Sequence, residues 1–236
     1  MKALLLAAGL GSRLGAYTKD VPKVLLPING KPIIDILIRK LIAIGIEKIV
    51  INTHYKAILV EQFLKRQDYS EVLSVVREEK LLGTAGTLKS NIEELQGSDF
   101  MVLHADNYFQ DNLIHLLNFH NSDESDSLMT MATFLTNQPE TCGVVEVDKN
   151  NTILNFFEKK INPPSNIANA AIYIFKKNAI SLIQTLNFNE NDISNDLIPK
   201  FIGISRAFPL TGEFIDIGTP KNYNIANELA KIIDWK

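Results

Sequence analysis

Two glycines and an arginine near the start of the chain form the first pattern that could bind a ligand. Gly9 and Gly11 follow an apolar segment of strand length, and Arg13 comes two positions later. Glycines at such a turn let backbone N–H groups approach a phosphate chain closely, and an arginine adds a cation with forked donors. A plain structural turn fits the pattern equally well, because a Gly-x-Gly pair alone is a weak signal.

Two common phosphate-binding motifs do not fit this segment. A dinucleotide-binding fingerprint fails because Leu14 occupies the third glycine position and the acid nearest the expected spacing, Asp35, falls inside a predicted helix. A P-loop fails because the segment lacks a Gly-Lys-Ser/Thr ending. These observations count against a nicotinamide-dependent oxidoreductase. They leave open another kind of phosphate site or a structural turn.

The segments that follow resemble the signature of a known family. The pair Pro22–Lys23 lies close to Leu25–Pro27, and Gly30–Pro32 comes next. Together with the Gly-x-Arg-Leu ending of the first loop, this order is similar to that of the sugar-nucleotide pyrophosphorylases. These are nucleotidyltransferases that join a sugar 1-phosphate to a nucleotide. Because these motifs form an ordered set of this length, the resemblance is highly specific.

The resemblance continues through the chain, from residue 3 to about residue 227. The matching segments, in the family's order, are Leu82–Leu88, Leu103–Asn107, Cys142–Glu146, Phe157–Lys159, Asn166–Ala170 and Phe214–Pro220. Ala105 stands where the family usually has glycine before its aspartate, so we expect the backbone to turn differently there. Taken one by one, several of these segments also have an ordinary structural interpretation, such as a helix N-terminus or an exposed charge pair.

By this resemblance, the site residues form three groups. The nucleotide-binding group is Leu6, Ala7, Ala8, Gly9, Gly11, Ser12, Arg13, Lys23, Gly83, Thr84, Ala85 and Gly86. The sugar-phosphate group consists of Gly143 and Asn169 at the sugar, Glu158 at its hydroxyls and Lys159 at the 1-phosphate. The resemblance makes Asp106 and Asp216 the Mg²⁺ ligands and, together with Arg13 and Lys23, the catalytic residues.

The implied reaction requires these residue types. A nucleoside triphosphate and a sugar 1-phosphate are both anionic, and two carboxylates can hold Mg²⁺ between their phosphates. Arg13 and Lys23 can stabilise the charge that develops on the departing pyrophosphate. Because the sugar phosphate is already an ionised nucleophile, the in-line displacement at the α-phosphorus depends on positioning and electrostatics rather than on a base.

The composition excludes several other classes of protein. The chain has 236 residues, 46% of them hydrophobic, and its net charge of −3 leaves no basic surplus for a nucleic-acid backbone. No apolar run is long enough for a transmembrane helix, and glycines interrupt the N-terminal run where a signal peptide should continue. Cys142 is the single cysteine, which fits a reducing compartment. We therefore expect a cytoplasmic protein without nucleic-acid or membrane partners, and a homo-oligomer stays open.

The elements that must position the site alternate between strand and helix in the first half. The predicted strands are 2–8, 48–52, 72–77 and 100–103, and the predicted helices are 32–45, 56–66 and 84–95. This alternation of strands and helices predicts an α/β fold with a Rossmann-like, doubly wound sheet in three α/β/α layers. The resemblance implies the glycosyltransferase-A-like nucleotidyltransferase version of that fold, with a mixed sheet.

The second half has a different order of elements, in which several strands follow one another without a helix between them. The predicted strands are 128–135, 144–147, 153–157, 170–175 and 214–217, with a hairpin turn at 148–151. Short helices are predicted at 178–186 and 192–202, and Thr219 is expected to cap a last helix that begins with Pro220. We expect one domain, residues 1–236, in which 1–126 mainly binds the nucleotide and 127–236 mainly binds the sugar phosphate.

Three segments are most similar to small bacterial members that use GTP with mannose 1-phosphate or heptose 1-phosphate, namely Thr141–Glu146, Asn162–Pro164 and Ala168–Ala170. UTP, dTTP or CTP would require only a few changed contacts. A phosphorylated non-sugar acceptor and a non-catalytic sugar-nucleotide sensor are further alternatives, although a sensor needs no metal-bridging pair. The chain stops soon after the last motif, so we expect no C-terminal β-helix. Trp235 is expected to be a packing or contact residue.

Overall fold

The computed structural model describes residues 1–123, 125–187 and 189–231, so Trp235 lies outside the described residues. Within these residues the strands are β1 Lys2–Leu6, β2 Pro27–Ile28, β3 Lys31–Pro32, β4 Lys48–Thr53, β5 Leu73–Arg77, β6 Phe100–His104, β7 Asn107–Phe109, β8 Met129–Leu135, β9 Gly143–Val147, β10 Ile153–Glu158, β11 Ile167–Phe175, β12 Ser205–Pro209 and β13 Phe214–Asp216. The helices are α1 Ile33–Ala43, α2 Ala57–Lys65, α3 Thr84–Ser90, α4 Ile92–Leu95, α5 Leu113–Asn121, α6 Ile180–Gln184 and α7 Pro220–Ala230.

The central sheet has a parallel core and an antiparallel flank. Among the described residues it contains nine strands, in the order β10-β9-β11-β6-β1-β4-β5, with β8 pairing both β11 and β12. Strands β6, β1, β4 and β5 run parallel, whereas β11 runs antiparallel to β6. The predicted mixed α/β sheet is therefore confirmed. The carboxyl ends of the parallel strands meet at one edge, which is where ligands bind in sheets of this kind.

Helices cover both faces of this sheet. Leu5 and Met101 point to the face covered by α1, α2, α5 and α7, while Leu4 and Val102 point to the face covered by α3, α4 and α6. This alternation is what strands buried on both sides require. The predicted three layers are thus confirmed. In the described part of the chain, no helix is long and apolar enough to cross a lipid bilayer.

The structure differs from the predicted elements in a few places. The predicted helix 84–95 is interrupted at Asn91, whose φ of −106° and ψ of 14° depart from helical values, so that α3 and α4 are separate. Its side-chain nitrogen donates to the Thr87 carbonyl oxygen at 2.9 Å. Helix α5, capped by Asn112, is absent from the prediction, and so is β12, an edge strand that pairs with β8 and ends in Pro209. Thr219 caps α7 as predicted.

Candidate active site

Lys23 lies between two carboxylates that come from distant parts of the chain. Asp106 follows β6, Asp216 ends β13, and Lys23 begins a short helical turn after the glycine-rich segment. The Lys23 Nζ donates to Asp106 Oδ2 at 2.5 Å and to Asp216 Oδ1 at 3.1 Å. The pairing of β13 with β7 places Asp216 opposite Asn107, the neighbour of Asp106. The structure therefore brings three of the predicted catalytic residues into contact.

These groups also interact electrostatically. Burial raises the pKa of Asp106, but the charge and hydrogen bond of Lys23, with the nearby His104, outweigh this effect and hold that pKa below its ordinary value. Arg13, the fourth predicted catalytic residue, lies at the solvent side of the cluster, with its guanidinium 3.6 Å from Asp216 Oδ2. Two cations and two carboxylates thus meet at one point, which suits a polyphosphate that arrives with a divalent cation.

The carboxylate pair fits a magnesium ion. The Lys23 ammonium occupies the point where the two carboxylates converge, so this point is favourable for a cation. Mg²⁺ binds proteins through one or two carboxylates and takes its other ligands from substrate phosphates and water. Among the described residues, no cluster of three or more His, Cys, Asp or Glu side chains could hold a metal. A cation bound between Asp106 and Asp216 would therefore need ligands from the substrate or water.

The glycine-rich segment packs closely against the turn that carries Lys23. Gly11 has a φ of +64°, and a Cβ on it would lie 3.0 Å from Thr18 Cγ2 and 3.1 Å from Lys23 Cβ, so a larger residue would displace that turn. Nothing lies within 4 Å of the corresponding position on Gly9, whose backbone faces open space. Of the other predicted contacts here, Ser12 and Arg13 are exposed and Ala7 and Ala8 are buried.

A cavity of about 190 Å³ opens beside Lys23 at the carboxyl ends of the parallel strands. Seven of the predicted site residues line it, namely Leu6, Ala8, Gly9, Lys23, Gly83, Thr84 and Asp106. It is also lined by four polar residues outside the predicted site groups, namely Asn52, Glu78, Thr87 and His104. Three of these lie at or just after the end of a predicted strand, a position that could have identified them.

Glu78 is a buried carboxylate held by three donors. Its Oε1 accepts from Asn52 Nδ2 at 2.9 Å and from the Thr87 hydroxyl, and its Oε2 accepts from Leu82 N at 3.1 Å. Asn52 in turn accepts a hydrogen bond from Ala7 N at 2.7 Å. A carboxylate has about four lone-pair sites, so these bonds fix its orientation and leave one acceptor site on Oε2 for a ligand.

A loop from the second half of the chain fixes the segment around Gly83. Gly83 has a φ of +76°, and a Cβ on it would clash with the carbonyl oxygen of Asn191. That oxygen accepts hydrogen bonds from Ala85 N at 2.9 Å and from Gly86 N at 3.4 Å. The amides of these two predicted nucleotide contacts are therefore bonded within the protein.

The predicted sugar-binding residues lie on neighbouring strands. Gly143 in β9 pairs with Glu158 in β10, and a Cβ on Gly143 would lie 2.5 Å from Glu158 Oε2, so a larger residue would have to displace that carboxylate. The exposed Lys159 has its Nζ 3.2 Å from Glu158 Oε1. Asn169 lies in β11, which pairs with β9 at the preceding residue. These residues do not line the cavity that contains Glu78.

Asn169 uses its side chain to hold a bulge in β11. Its Oδ1 accepts from Ala171 N at 2.8 Å, and its Nδ2 donates to the Tyr173 hydroxyl at 2.7 Å. The register of β11 against β8 shifts here, and Ala171 has a φ of +51°. Asn107 Nδ2 donates to the Ala170 carbonyl oxygen at 3.0 Å. The bulge therefore connects the sugar-side strands to the strand that follows Asp106.

Ala171→Gly should stabilise the protein. A side chain in the left-handed region costs about 1–2 kcal/mol, and glycine avoids this cost while losing about 0.4–1 kcal/mol through the entropy of the unfolded chain. We expect the free energy of unfolding in urea to rise by about 0.5–1 kcal/mol. Ala170→Gly is the matched control, because that neighbour is fully buried and has no positive φ, so the same substitution should destabilise. A lower unfolding free energy for Ala171→Gly would contradict the prediction.

Ala105 fits its position without strain. It has no positive φ, its N donates to the Leu6 carbonyl oxygen at 2.9 Å, and its side chain is fully buried in the core. The turn before Asp106 therefore accommodates alanine.

Known relatives share this sequence pattern and fold. Mannose-1-phosphate guanylyltransferase of Mycobacterium tuberculosis is 29% identical over 226 residues, which cover 94% of the chain and 62% of that relative. D-glycero-alpha-D-manno-heptose 1-phosphate guanylyltransferase of Campylobacter jejuni is 29% identical over 226 residues, which cover 94% of the chain and 97% of that relative. A crystal structure from Bacillus anthracis, provisionally assigned as a glucose-1-phosphate thymidylyltransferase, matches with a TM-score of 0.88 at 26% identity and covers 100% of this chain and 97% of its own.

The family profile gives the broadest match. The chain spans 61% and 62% of the length of the first two curated relatives it matches. The profile described as Nucleotidyl transferase matches residues 2–231, which include every predicted motif from the glycine-rich segment to Asp216. On this match, the chain belongs to the nucleotidyl transferase family.

Proposed function

We propose that the protein is a sugar-1-phosphate guanylyltransferase, which converts GTP and a sugar 1-phosphate into a GDP-sugar and pyrophosphate. The family match supports the reaction class, and the two relatives described above are both named as guanylyltransferases. In this proposal, residues 1–126 mainly bind the nucleotide, residues 127–236 mainly bind the sugar phosphate, and Mg²⁺ is the cofactor.

The observation that carries the choice of base is the buried carboxylate of Glu78. Every hydrogen bond this group makes is one that it accepts, so a base that binds it must present donors. Guanine has two adjacent donors on one edge, its N1–H and its 2-amino group, and either could occupy the one acceptor site that is free on Oε2. Uracil and thymine have one N–H between two carbonyl oxygens, which the carboxylate would repel. Glu78 therefore favours GTP.

The reaction we propose is one displacement at phosphorus. A phosphate oxygen of the sugar 1-phosphate bonds to the α-phosphorus of GTP, while the bond from that phosphorus to the oxygen bridging to the β-phosphate breaks. Because the attacking oxygen is already ionised, no residue has to remove a proton. Lys23 and Arg13 stabilise the charge that passes to pyrophosphate. Mg²⁺ held by Asp106 and Asp216 would neutralise phosphate charge and orient the two substrates.

The sugar phosphate is proposed to bind beside β9, β10 and β11. The Gly143 backbone and the Glu158 carboxylate contact sugar hydroxyls, and the exposed Lys159 contacts the 1-phosphate. Asn169 contributes less than a free amide would, because its side chain already holds the bulge. Mannose 1-phosphate and heptose 1-phosphate are the proposed sugars, which the names of the two relatives support.

A substrate matrix tests this function. GTP, ITP, UTP, dTTP and CTP are each combined with mannose 1-phosphate, heptose 1-phosphate, glucose 1-phosphate and choline phosphate, and pyrophosphate release is measured with Mg²⁺. We expect the GTP row to have the highest kcat/KM, with ITP weaker because inosine lacks the 2-amino group. Highest turnover with UTP or dTTP would refute the base assignment. No release in any combination would refute the enzyme itself and favour a sensor.

A further inference from the structure

The glycine-rich segment closes on itself between Gly11 and Thr18. The Thr18 hydroxyl donates to the Gly11 carbonyl oxygen at 3.0 Å, and Leu14, which lies inside this loop, is 1% exposed and packs in the core. The Tyr55 hydroxyl donates to the Thr18 carbonyl oxygen at 3.3 Å, which ties the loop to the segment after β4. The loop is therefore held together as one unit, and Arg13 is carried on it.

The side chain of Arg13 is only loosely fixed by its own contacts. It is 68% exposed, and its one ion pair in the described part of the chain joins the guanidinium to Asp216 Oδ2 at 3.6 Å, which is beyond hydrogen-bond distance. A long side chain with one loose contact keeps much of its rotamer freedom. The place of the guanidinium therefore depends on where the loop itself is held.

Helix α7 contacts both this loop and the strand end that carries Asp216. Near the start of the helix, Asn222 Nδ2 donates to the Asp216 carbonyl oxygen at 2.9 Å. The Tyr17 ring of the loop packs edge-on against the Tyr223 ring, with 5.0 Å between the centroids, and the Tyr17 hydroxyl donates to Asn224 Oδ1 at 3.4 Å. Three consecutive residues of one helix thus fix the loop relative to Asp216.

These contacts give Tyr17 a function that its exposure alone does not indicate. We propose that Tyr17 is a positioning residue for the departing pyrophosphate, because its docking on α7 holds the loop so that Arg13 stays beside Asp216. Tyr17 is 41% exposed and does not line the cavity beside Lys23, so it acts through Arg13 and not by touching the nucleotide there. The inference rests on the proposed function, in which Arg13 stabilises the charge on pyrophosphate.

Binding of pyrophosphate to the full chain tests this role. Dissociation constants for pyrophosphate, GMP and UMP are measured by calorimetry with Mg²⁺, and no turnover occurs because no sugar nucleotide is present. Tyr17→Ala should bind pyrophosphate about tenfold more weakly than the wild type, within the range of one hydrogen bond to a charged group. It should bind GMP and UMP as the wild type does, since both lack the departing phosphates. Tyr17→Phe keeps the ring contact and should stay within about twofold of the wild type.

A double-mutant cycle separates positioning from a structural role. Arg13→Ala should weaken pyrophosphate binding at least as much as Tyr17→Ala, and the double variant should bind no more weakly than Arg13→Ala, because both changes remove the same contact. Phe119→Ala is the matched control. Phe119 also belongs to an aromatic pair, with its ring centroid 5.3 Å from that of Phe208, but it does not line the cavity. This variant should lower the thermal unfolding midpoint and leave all three dissociation constants unchanged.

The outcomes separate this role from the proposed function. Unchanged pyrophosphate affinity in Tyr17→Ala, an equal loss for the monophosphates, or additive losses in the double variant would overturn the positioning role, and so would a wild type that does not bind pyrophosphate. Tighter binding of UMP than of GMP would count against the choice of base alone. If the substrate matrix gave no release but pyrophosphate binding followed the expected pattern, the proposed function would fail and the role of Tyr17 would stand.

Discussion

Asp106→Asn should lose about 10³-fold in kcat/KM for Mg²⁺-dependent pyrophosphate release and should remain folded. The substitution keeps the shape of the side chain but removes one charge from the pair that converges on Lys23. Losing one group that stabilises developing charge costs about 10²–10³ in rate, and loss of a metal ligand adds to that cost. Asp216→Asn should lower kcat/KM to a similar extent. The double variant should lose less than the product of both effects, because the two carboxylates act as one unit.

Asp68→Asn provides the matched control for these variants. Asp68 is also an aspartate paired with a cation, 3.0 Å from Arg39, but it is exposed and lies outside the cavity. The activity of the Asp68→Asn variant should stay within about twofold of the wild type, since an exposed ion pair contributes about 0–1 kcal/mol to stability. Circular dichroism checks that all the variants are folded. Near-normal, Mg²⁺-dependent pyrophosphate release by Asp106→Asn and Asp216→Asn would show that this pair is not the catalytic centre.

Glu78→Gln should change which base the protein prefers. Because Oε1 accepts two hydrogen bonds, the glutamine NH₂ group would take the place of Oε2. The one free acceptor site then becomes a donor, which repels the guanine donors and suits a uracil carbonyl oxygen. We expect kcat/KM for GTP to fall by about 10²-fold, in line with about 1.5–3 kcal/mol for a hydrogen bond to a charged group, and the ratio of UTP to GTP activity to rise. The change should also cost about 1–2 kcal/mol of unfolding free energy, because the amide cannot accept from both Asn52 and Leu82.

Glu79→Gln is the matched control, since the neighbouring glutamate is exposed and does not line the cavity. It should leave both the base preference and the stability unchanged. Initial rates with GTP and UTP at several concentrations separate base preference from a general loss of activity. An equal fall for both nucleotides in Glu78→Gln would mean that Glu78 supports the fold of the cavity rather than selecting the base.

The sequence predicts the parallel half of this protein well, because its core strands are short and largely apolar and three of the four are followed by a helix with a clear apolar face. Strands β1, β4, β5 and β6 are all within a few residues of their predicted bounds. Helix α5 and strand β12 are missed for different physical reasons. The first depends on a cap and on packing by Leu113 and Leu116, and the second is an edge strand whose pairing with β8 is a long-range contact.

The candidate site is predictable where the chemistry requires a particular residue type. Lys23, Asp106 and Asp216 are expected from their motifs, and the structure places them in contact. Glu78 is missed because it belongs to no motif, and its significance depends on burial and on partners that only the folded chain supplies. The strained backbone at Ala171 is missed for the same reason, since nothing local to an alanine indicates a left-handed conformation.

The contacts of Lys23 also determine when activity can appear as the chain folds. Lys23 and Asp106 are 83 residues apart, and Lys23 and Asp216 are 193 residues apart, so both contacts close long loops. Closing such loops has an entropic cost that must be met before the contact stabilises anything, which makes non-local pairings slow. Asp216 reaches the cluster only when β13 pairs with β7. We therefore expect recovery of activity during refolding to require the docking of β13 onto β7 in addition to the formation of the sheet.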